Sequence, residues 1–445
     1  MTQEQDGDDP PDGGWGWMVV LSSFLAQMLQ AGTLLATGVL VSELTEHFDS
    51  DVAEVSIIFS VAIGLWCLMG PFSSFLVEKY GTRATVSIGA VLSIFGLLIS
   101  NFATSVYFLW VSYGILVGSG HGMVSTPTFA VLGTYFKRRL GMANSLSLTG
   151  MGAGYIAFSP LNQILLENYG WRGWFILIAA INGNLFVCAA LIRPIVKKRS
   201  KAIRGSNSNR ISAIGSRYCE FVANARVFMF ILLAECLSTL TYSTIALLIV
   251  PFAIDHGITK LSASLLMTVM GIASIVTRLF CGMVLDLKCL TVFRGFIPTL
   301  SMWIIGGSLI AFPYAEDYVI MAILCGTLGV AQGVYYPGMW LVVKSVTGPN
   351  YTMAVGLVLF CSGIGNVSGP PFAGVLYDNT HSFKLPFLSI GLAGVLSGLL
   401  YLGIVLKVQS RKVLPCRRGH RKIPSESNKI MYDVFESSIT TGTPV

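Results

Sequence analysis

Long apolar segments, each followed by a short polar connection, make up most of this sequence. A helix needs about 20 mainly apolar residues to cross the roughly 30 Å hydrocarbon core of a membrane. Twelve segments reach that length, which predicts an all-α membrane protein. We number these predicted spans 1 to 12 in chain order. They cover residues 14–44, 52–77, 84–104, 107–134, 142–166, 172–194, 227–252, 259–285, 291–313, 318–345, 352–377 and 383–407.

Lysine and arginine residues are distributed unequally between the polar connections. An even number of spans leaves both termini on one side, and the connections on that side include the basic runs 137–139 and 197–199. The connections on the other side carry only Arg172, Lys260 and Lys384. Because cytoplasmic loops are enriched in Lys and Arg, both termini are predicted to be cytosolic.

The longest polar connection divides the predicted spans six and six. We interpret residues 195–226 as a cytosolic linker between two six-helix bundles, 14–194 and 227–407. Residues 1–13 and 408–445 are then cytosolic tails. The second tail is basic, with seven Lys or Arg among residues 407–422, and we expect it to bind anionic membrane lipid.

The two predicted bundles share features at a nearly constant offset. Glu78 and Asp286, at the ends of spans 2 and 8, are 208 residues apart, and Pro127 and Pro337, in spans 4 and 10, are 210 apart. An acid at such a position can meet the positive N-terminus of a neighbouring helix. Two six-helix repeats around a central cavity are the architecture of major facilitator transporters, which the chain resembles.

The composition excludes several classes of protein. Charged residues make up 11% of the chain and hydrophobic residues 53%, whereas a soluble domain carries about 25% charge. The net charge of +7 resides largely in loops beside spans, so no nucleic acid is expected as a partner. The sequence contains no nucleotide-binding loop, metal-ligand cluster or nucleophile motif. It therefore predicts neither an enzyme nor a cofactor.

Arg278 is the residue that points most directly to a function, because it interrupts the apolar run of span 8. A charge at bilayer depth costs about 2.5–3.5 kcal/mol on insertion scales, so it usually faces a cavity and has a partner or a ligand. Glu235 in span 7 lies at a similar depth, about 12 Å from the cytosolic edge. We expect Glu235 either to pair with Arg278 or to carry a proton, and a static ion pair between the two helices is the alternative.

Three further segments carry a family resemblance. They are residues 12–17 (DGGWGW) before span 1, residues 135–139 (YFKRR) before span 5, and residues 369–371 (GPP) in span 11. Together they resemble the monocarboxylate transporter family. The resemblance implies a plasma-membrane carrier of small organic solutes, often carboxylates, with proton coupling in some members. It also implies that a single-pass immunoglobulin-type ancillary protein is a candidate partner.

The chain departs from the proton-coupled members of that family at two positions. Leu35 stands where they resemble each other at a lysine, and Ser274 stands where they carry an aspartate. Arg278 is kept. Other branches of the family, which carry aromatic amino acids, thyroid hormone, creatine or carnitine-like solutes, also lack this lysine. We therefore expect facilitated transport of a monocarboxylate, a related organic anion or a zwitterion, with weak or absent proton coupling.

Several other polar and aromatic side chains are candidates for the central cavity. The resemblance places Asn144 at a pocket position, and His121 lies near the middle of span 4 as a second candidate for coupling. Tyr335 and Trp66 could line an apolar-aromatic cavity. Packing or interhelical hydrogen bonding is the alternative for each of these side chains. For the whole protein, the alternative to a transporter is a non-transporting receptor or scaffold on a carrier fold.

Overall fold

The computed structural model describes residues 12–34, 38–193, 226–286 and 295–413, and within them the regular structure is helical, as the apolar segments predict. The α-helices of these residues are α1 (Gly16–Leu34), α2 (Gly38–Phe48), α3 (Val52–Leu68), α4 (Gly70–Tyr80), α5 (Thr82–Ser100), α6 (Val106–Leu109), α7 (Gly118–Tyr135), α8 (Leu140–Asn182), α9 (Asn184–Leu191), α10 (Arg226–Asp255), α11 (Lys260–Leu285), α12 (Phe296–Ala311), α13 (Tyr318–Thr347), α14 (Tyr351–Thr380) and α15 (Lys384–Val413).

Ten helical segments of the described residues are long and apolar enough to cross a membrane, or up to eleven if the bent pair α3–α4 is counted as one span. One of the ten, Leu140–Leu191, has 52 residues. As one straight helix it would measure about 78 Å, more than twice the hydrocarbon core. Gly170 interrupts it with a φ of 63°, which glycine adopts without a steric penalty. This segment therefore corresponds to predicted spans 5 and 6.

Breaks inside the spans are the main difference from the apolar pattern. Span 2 bends by 47° between α3 and α4, where Pro71 lies in the first turn of α4. Span 4 begins with α6 and the π-helix Trp110–Val117 before α7. Hydropathy does not reveal such breaks, because the residues on both sides are apolar. In contrast, α14 continues through Pro370 and Pro371 without interruption.

The helices of the two predicted bundles pack against each other. α14 contacts α3, α4 and α7, and α8 contacts α11 and α13. The described residues up to Val405 belong to one compact unit. Residues 195–225 of the predicted linker and residues 414–445 of the predicted basic tail lie outside the described residues.

Asp286 makes the contact expected of an acid at the end of a span. Its carboxylate accepts hydrogen bonds from the backbone N–H of Gly141 at 3.1 Å and of Met142 at 2.9 Å. Both residues are in the first turn of α8, where backbone donors are free and the helix dipole favours a negative charge. This confirms the expectation for Asp286 and joins α11 to α8.

Candidate functional site

Arg278 is buried where α11 meets α8, with 7% of its surface exposed. Its Nη1 donates a hydrogen bond to the backbone carbonyl of Leu148 at 3.1 Å. Its guanidinium carbon lies 5.7 Å from the centre of the Tyr336 ring on α13. Nε has no hydrogen-bond partner among the described residues. The side chain thus carries a full charge in the membrane with donor capacity to spare.

Two other predicted site residues lie one helical turn from these groups. Asn144 is four residues before Leu148 on α8, and Ser274 is four residues before Arg278 on α11. Both are buried, and their side-chain polar atoms have no partner in the described structure. Unpartnered polar groups are costly in a buried position and common where a ligand binds. The third residue of this predicted set, Leu35, lies outside the described residues.

Glu235 on α10 is surrounded by hydroxyl groups. Tyr335 donates to its Oε2 at 2.7 Å, and Ser362 donates to its Oε1 at 3.0 Å. Ser238 and Tyr401 approach Oε2 at the longer distance of 3.4 Å. We call these five residues the Glu235 cluster. Only 1% of the Glu235 surface is exposed, so the hydroxyls replace the water that the carboxyl group has lost.

The expected ion pair between Glu235 and Arg278 is absent from this structure, in which both residues are described. The glutamate instead bonds to hydroxyls from α10, α13, α14 and α15, and the arginine bonds to α8. Tyr335, which bonds to the glutamate, packs against Tyr336, which approaches the guanidinium, with ring centres 5.3 Å apart. Similar depth on consecutive helices was not enough to bring the two side chains together, because depth does not fix the direction in which each helix face points.

A small cavity lies between α10, α12 and α13, next to the Glu235 cluster. Three tyrosine rings contribute to its wall. Two of them were described above: Tyr335 bonds to Glu235, and Tyr336 approaches Arg278. Gln332 also lines the cavity, is 6% exposed, and has no partner for Nε2 among the described residues. The lining side chains are Ser238, Tyr242, Ile245, Met302, Ile305, Leu328, Gln332, Tyr335 and Tyr336.

Trp66 belongs to a neutral network in the first bundle. Its indole Nε1 donates to Gln30 Oε1 at 3.0 Å and to Ser125 Oγ at 2.5 Å. The same Ser125 hydroxyl donates to Gln30 at 2.6 Å. These bonds join α1, α3 and α7, so the structure places Trp66 with these groups rather than with the Arg278 guanidinium.

His121 lies in a second neutral network nearby. Its Nε2 is 3.2 Å from Asn182 Oδ1, and the Asn182 amide donates to Thr33 Oγ1 at 2.9 Å. The imidazole is fully buried, and its Nδ1 has no partner within the described structure. The contacts of His121 are those of an uncharged side chain that links α7 to α8 and α1.

Contacts between the two bundles cluster at the predicted cytosolic ends of the helices. Gly70 and Gly356 bring the backbones of α4 and α14 together so closely that neither position has room for a side chain. Ser74 donates to the carbonyl of Thr352 at 2.9 Å. Phe129 on α7 stacks on Trp340 of α13, with ring centres 5.2 Å apart. The bundles are therefore in contact between Arg278 and the predicted cytosolic surface.

Sequence reasoning did not identify Ser238, Ser362 and Tyr401 as neighbours of Glu235. Ser238 was within reach of such reasoning, because it lies three residues after Glu235 on the same helical face. Ser362 and Tyr401 belong to helices more than 120 residues away in the chain, and no spacing rule connects them to α10. Their assignment required the packed structure.

Comparison with known proteins identifies the family to which this chain belongs. The family model described as "Major Facilitator Superfamily" matches residues 19–297 and 231–435. "Monocarboxylate transporter 13" of Rattus norvegicus is 35% identical over 386 residues, covering 86% of this chain and 87% of the relative. "Monocarboxylate transporter 12" of Mus musculus is 28% identical over 427 residues, covering 91% and 88%.

A solved structure supports the same architecture. The proton:xylose symporter XylE bound to 6-bromo-6-deoxy-D-glucose superposes with a TM-score of 0.67, covering 88% of this chain and 96% of that chain at 16% sequence identity. At that identity the likeness shows the fold alone. The fold is thus that of a major facilitator transporter, not an enzyme. Within that superfamily, the chain belongs to the monocarboxylate transporter family.

Proposed function

We propose that this protein carries small monocarboxylates, or related organic anions and zwitterions, across the plasma membrane by alternating access. The observation that carries the proposal is Arg278. It is a buried cation without an acidic partner in the described structure, at a contact between the two bundles. A substrate carboxylate would supply the missing negative charge.

The chemistry of the guanidinium group suits this task. Arg forms paired, charge-assisted hydrogen bonds to carboxylates, which are stronger than bonds between neutral groups. Nε is free to take part, and the unpartnered groups of Asn144 and Ser274 lie within one helical turn of the residues that hold the guanidinium. We assign these two side chains to substrate binding as well, together with Tyr335 on the cavity wall. Trp66 and Leu35 on the spans of the first bundle are further candidates.

The contacts between the bundles support a carrier that opens alternately to the two sides. In this conformation they close the predicted cytosolic end, below Arg278. Delivery of substrate to the cytosol requires those contacts to separate, whereas a static scaffold does not. Bundles of major facilitator transporters move against each other around a fixed site in this way.

We propose facilitated transport as the default mode. Coupling through a lysine in span 1 and an aspartate before Arg278 is ruled out by Leu35 and Ser274. Glu235 and His121 are the titratable candidates left for proton coupling. The hydrogen bonds of His121 to a neutral amide support an uncharged structural role for it, so Glu235 is the stronger candidate of the two.

The proposal also includes the orientation of the protein in the membrane and its binding partners. Both termini face the cytosol, as the distribution of basic loops indicates. The basic tail binds anionic lipid, and a single-pass immunoglobulin-type protein is the candidate ancillary partner.

Uptake in cells that express the chain tests the proposed function. The panel comprises radiolabelled lactate, a ketone body, an aromatic amino acid, carnitine and creatine, with untransfected cells as the control. We expect saturable uptake of at least one of these carboxylates, inhibited by unlabelled carboxylates. A chain that reaches the cell surface but takes up none of them would favour the receptor or scaffold.

A further inference from the structure

We infer that the cavity beside Glu235 binds the ammonium group of a zwitterionic substrate whose carboxylate is held by Arg278. The inference rests on the proposed function and narrows its substrate class to monocarboxylates that carry a second, cationic end. The first observation is that two buried residues of opposite charge do not pair with each other. Arg278 and Glu235 are buried, opposite in sign and described in the structure, yet neither neutralises the other.

A buried charge is costly unless it is paired, and two buried charges of opposite sign would ordinarily gain by meeting. In this structure Glu235 and Arg278 have different neighbours. Tyr335 holds the carboxylate, and Tyr336 faces the guanidinium. Because the two tyrosines are adjacent in the chain and their rings pack together, they connect the surroundings of the two groups. A ligand with one charge at each end would satisfy both without bringing Glu235 and Arg278 together.

The walls of the cavity suit a small cation. Ser238 and Tyr335, which both hydrogen-bond to Glu235, present hydroxyl oxygens that can accept from an ammonium group. The rings of Tyr242 and Tyr336 also line the cavity, beside apolar side chains, and aromatic faces attract cations. The cavity has room for a group of about the size of a water molecule, which an ammonium group matches.

Gln332 gives an independent indication of a ligand at this place. Its side chain is 6% exposed, lines the cavity and has an Nε2 without a partner among the described residues. The two ends of an amide are assigned from their hydrogen bonds, and a rotation by 180° would present its oxygen to an ammonium group. A polar side chain left unsatisfied in a buried cavity is the arrangement expected where a polar ligand group enters.

The test compares pairs of ligands that differ only in an ammonium group and its methyl isostere. The pairs are 4-aminobutanoate with pentanoate, 5-aminopentanoate with hexanoate, and 6-aminohexanoate with heptanoate. Saturable uptake of each is measured in cells expressing the wild type, Glu235→Gln, or Glu167→Gln. Glu167 is an exposed acid on α8, three residues before the break at Gly170, so its variant controls for the loss of one carboxylate.

We expect the wild type to prefer the ammonium member of at least one pair by tenfold or more. Normalised to the amount of protein at the surface, Glu235→Gln should lower uptake of that member at least tenfold and change uptake of its methyl isostere less than twofold. Glu167→Gln should change neither. Equal loss for both members, or no loss for either, would overturn the inference and leave the proposed function standing. Saturable uptake of no member of any pair by the wild type would overturn the inference, and the separate uptake panel would still decide the proposed function.

Two further measurements keep the test decisive. If Glu235→Gln fails to reach the surface, inhibition of wild-type uptake by the unlabelled members of each pair replaces it, and equal inhibition by the two members overturns the inference. Replacing external sodium by N-methyl-D-glucamine distinguishes a substrate ammonium from an inorganic cation. We expect uptake to be unchanged, and a sodium requirement that Glu235→Gln removes would overturn the assignment.

Discussion

The interiors of the two bundles differ in the polar groups that they bury. In the first bundle, the networks of Trp66 and His121 consist of neutral groups bonded to one another. In the second, Arg278 and Glu235 carry formal charges without an ionic partner among the described residues. Neutral networks hold helices together, whereas unpaired charges impose a cost that a ligand can offset. The difference assigns the first bundle chiefly to structure and the second chiefly to substrate recognition.

The largest expected effect is that of removing the charge of Arg278. Arg278→Ala should reduce carboxylate uptake more than tenfold while the protein still reaches the surface. Arg278→Lys should fail substantially as well, because an ammonium cannot reproduce the planar fork of donors. Arg172→Ala removes an exposed arginine that packs on Trp171, and serves as the matched control. Normal uptake by surface-expressed Arg278→Ala would contradict the assignment of substrate recognition to the second bundle.

The second prediction concerns the contact between α4 and α14. Gly356→Val places a side chain against Gly70, so it should separate the bundles at the predicted cytosolic end and lower uptake several-fold. Gly374→Val on the same helix is the control, because a side chain there meets open space. Surface expression and initial rates of uptake are the measurements. Equal rates for the two variants would argue that closure at this contact is not part of transport.

The third prediction follows from the absence of a direct ion pair. Glu235→Gln and Arg278→Gln should act independently on surface expression, and their effects should add in the double variant, since residues that do not touch behave additively. Expression is measured by surface biotinylation. Recovery in the double variant beyond either single variant would show that the two side chains pair in another conformation.

The fourth prediction concerns external pH. With Leu35 and Ser274 in place of the coupling residues, uptake of a substrate that is fully ionised at pH 6 and 7.5 should differ less than about twofold between them. A several-fold stimulation at pH 6 that Glu235→Gln abolishes would make Glu235 a proton carrier.

The smallest expected effect lies in the first bundle. Trp66→Phe removes two hydrogen bonds while keeping an aromatic ring, and each bond between membrane helices contributes on the order of 0.6 kcal/mol. Uptake should stay within about twofold of wild type, with a modest loss of thermal stability in detergent. A loss of uptake as large as that of Arg278→Ala, with stability preserved, would show that the hydrogen bonds of Trp66 are as important for recognition as Arg278.

Much of the fold could be predicted from the sequence, because a membrane requires long apolar helices and tolerates few charges. Arg278 was evident for the same reason, and Asp286 could be assigned to a helix N-terminus from its position at the end of a span. The partners of Glu235 could not be predicted, because Ser362 and Tyr401 reach it from distant helices. The break at Gly170 lies in the connection predicted between spans 5 and 6, where polar residues interrupt the apolar pattern.

The central claim is that Arg278 binds a substrate carboxylate, and it is tested most directly by changing both partners. For the best substrate found in the uptake screen, the affinity of the acid and of its primary amide is measured for purified wild type and Arg278→Gln. We predict that the wild type binds the acid at least tenfold more tightly, which corresponds to about 1.4 kcal/mol, and that Arg278→Gln loses this preference. Equal binding of acid and amide by the wild type, or an undiminished preference in Arg278→Gln, would contradict the account.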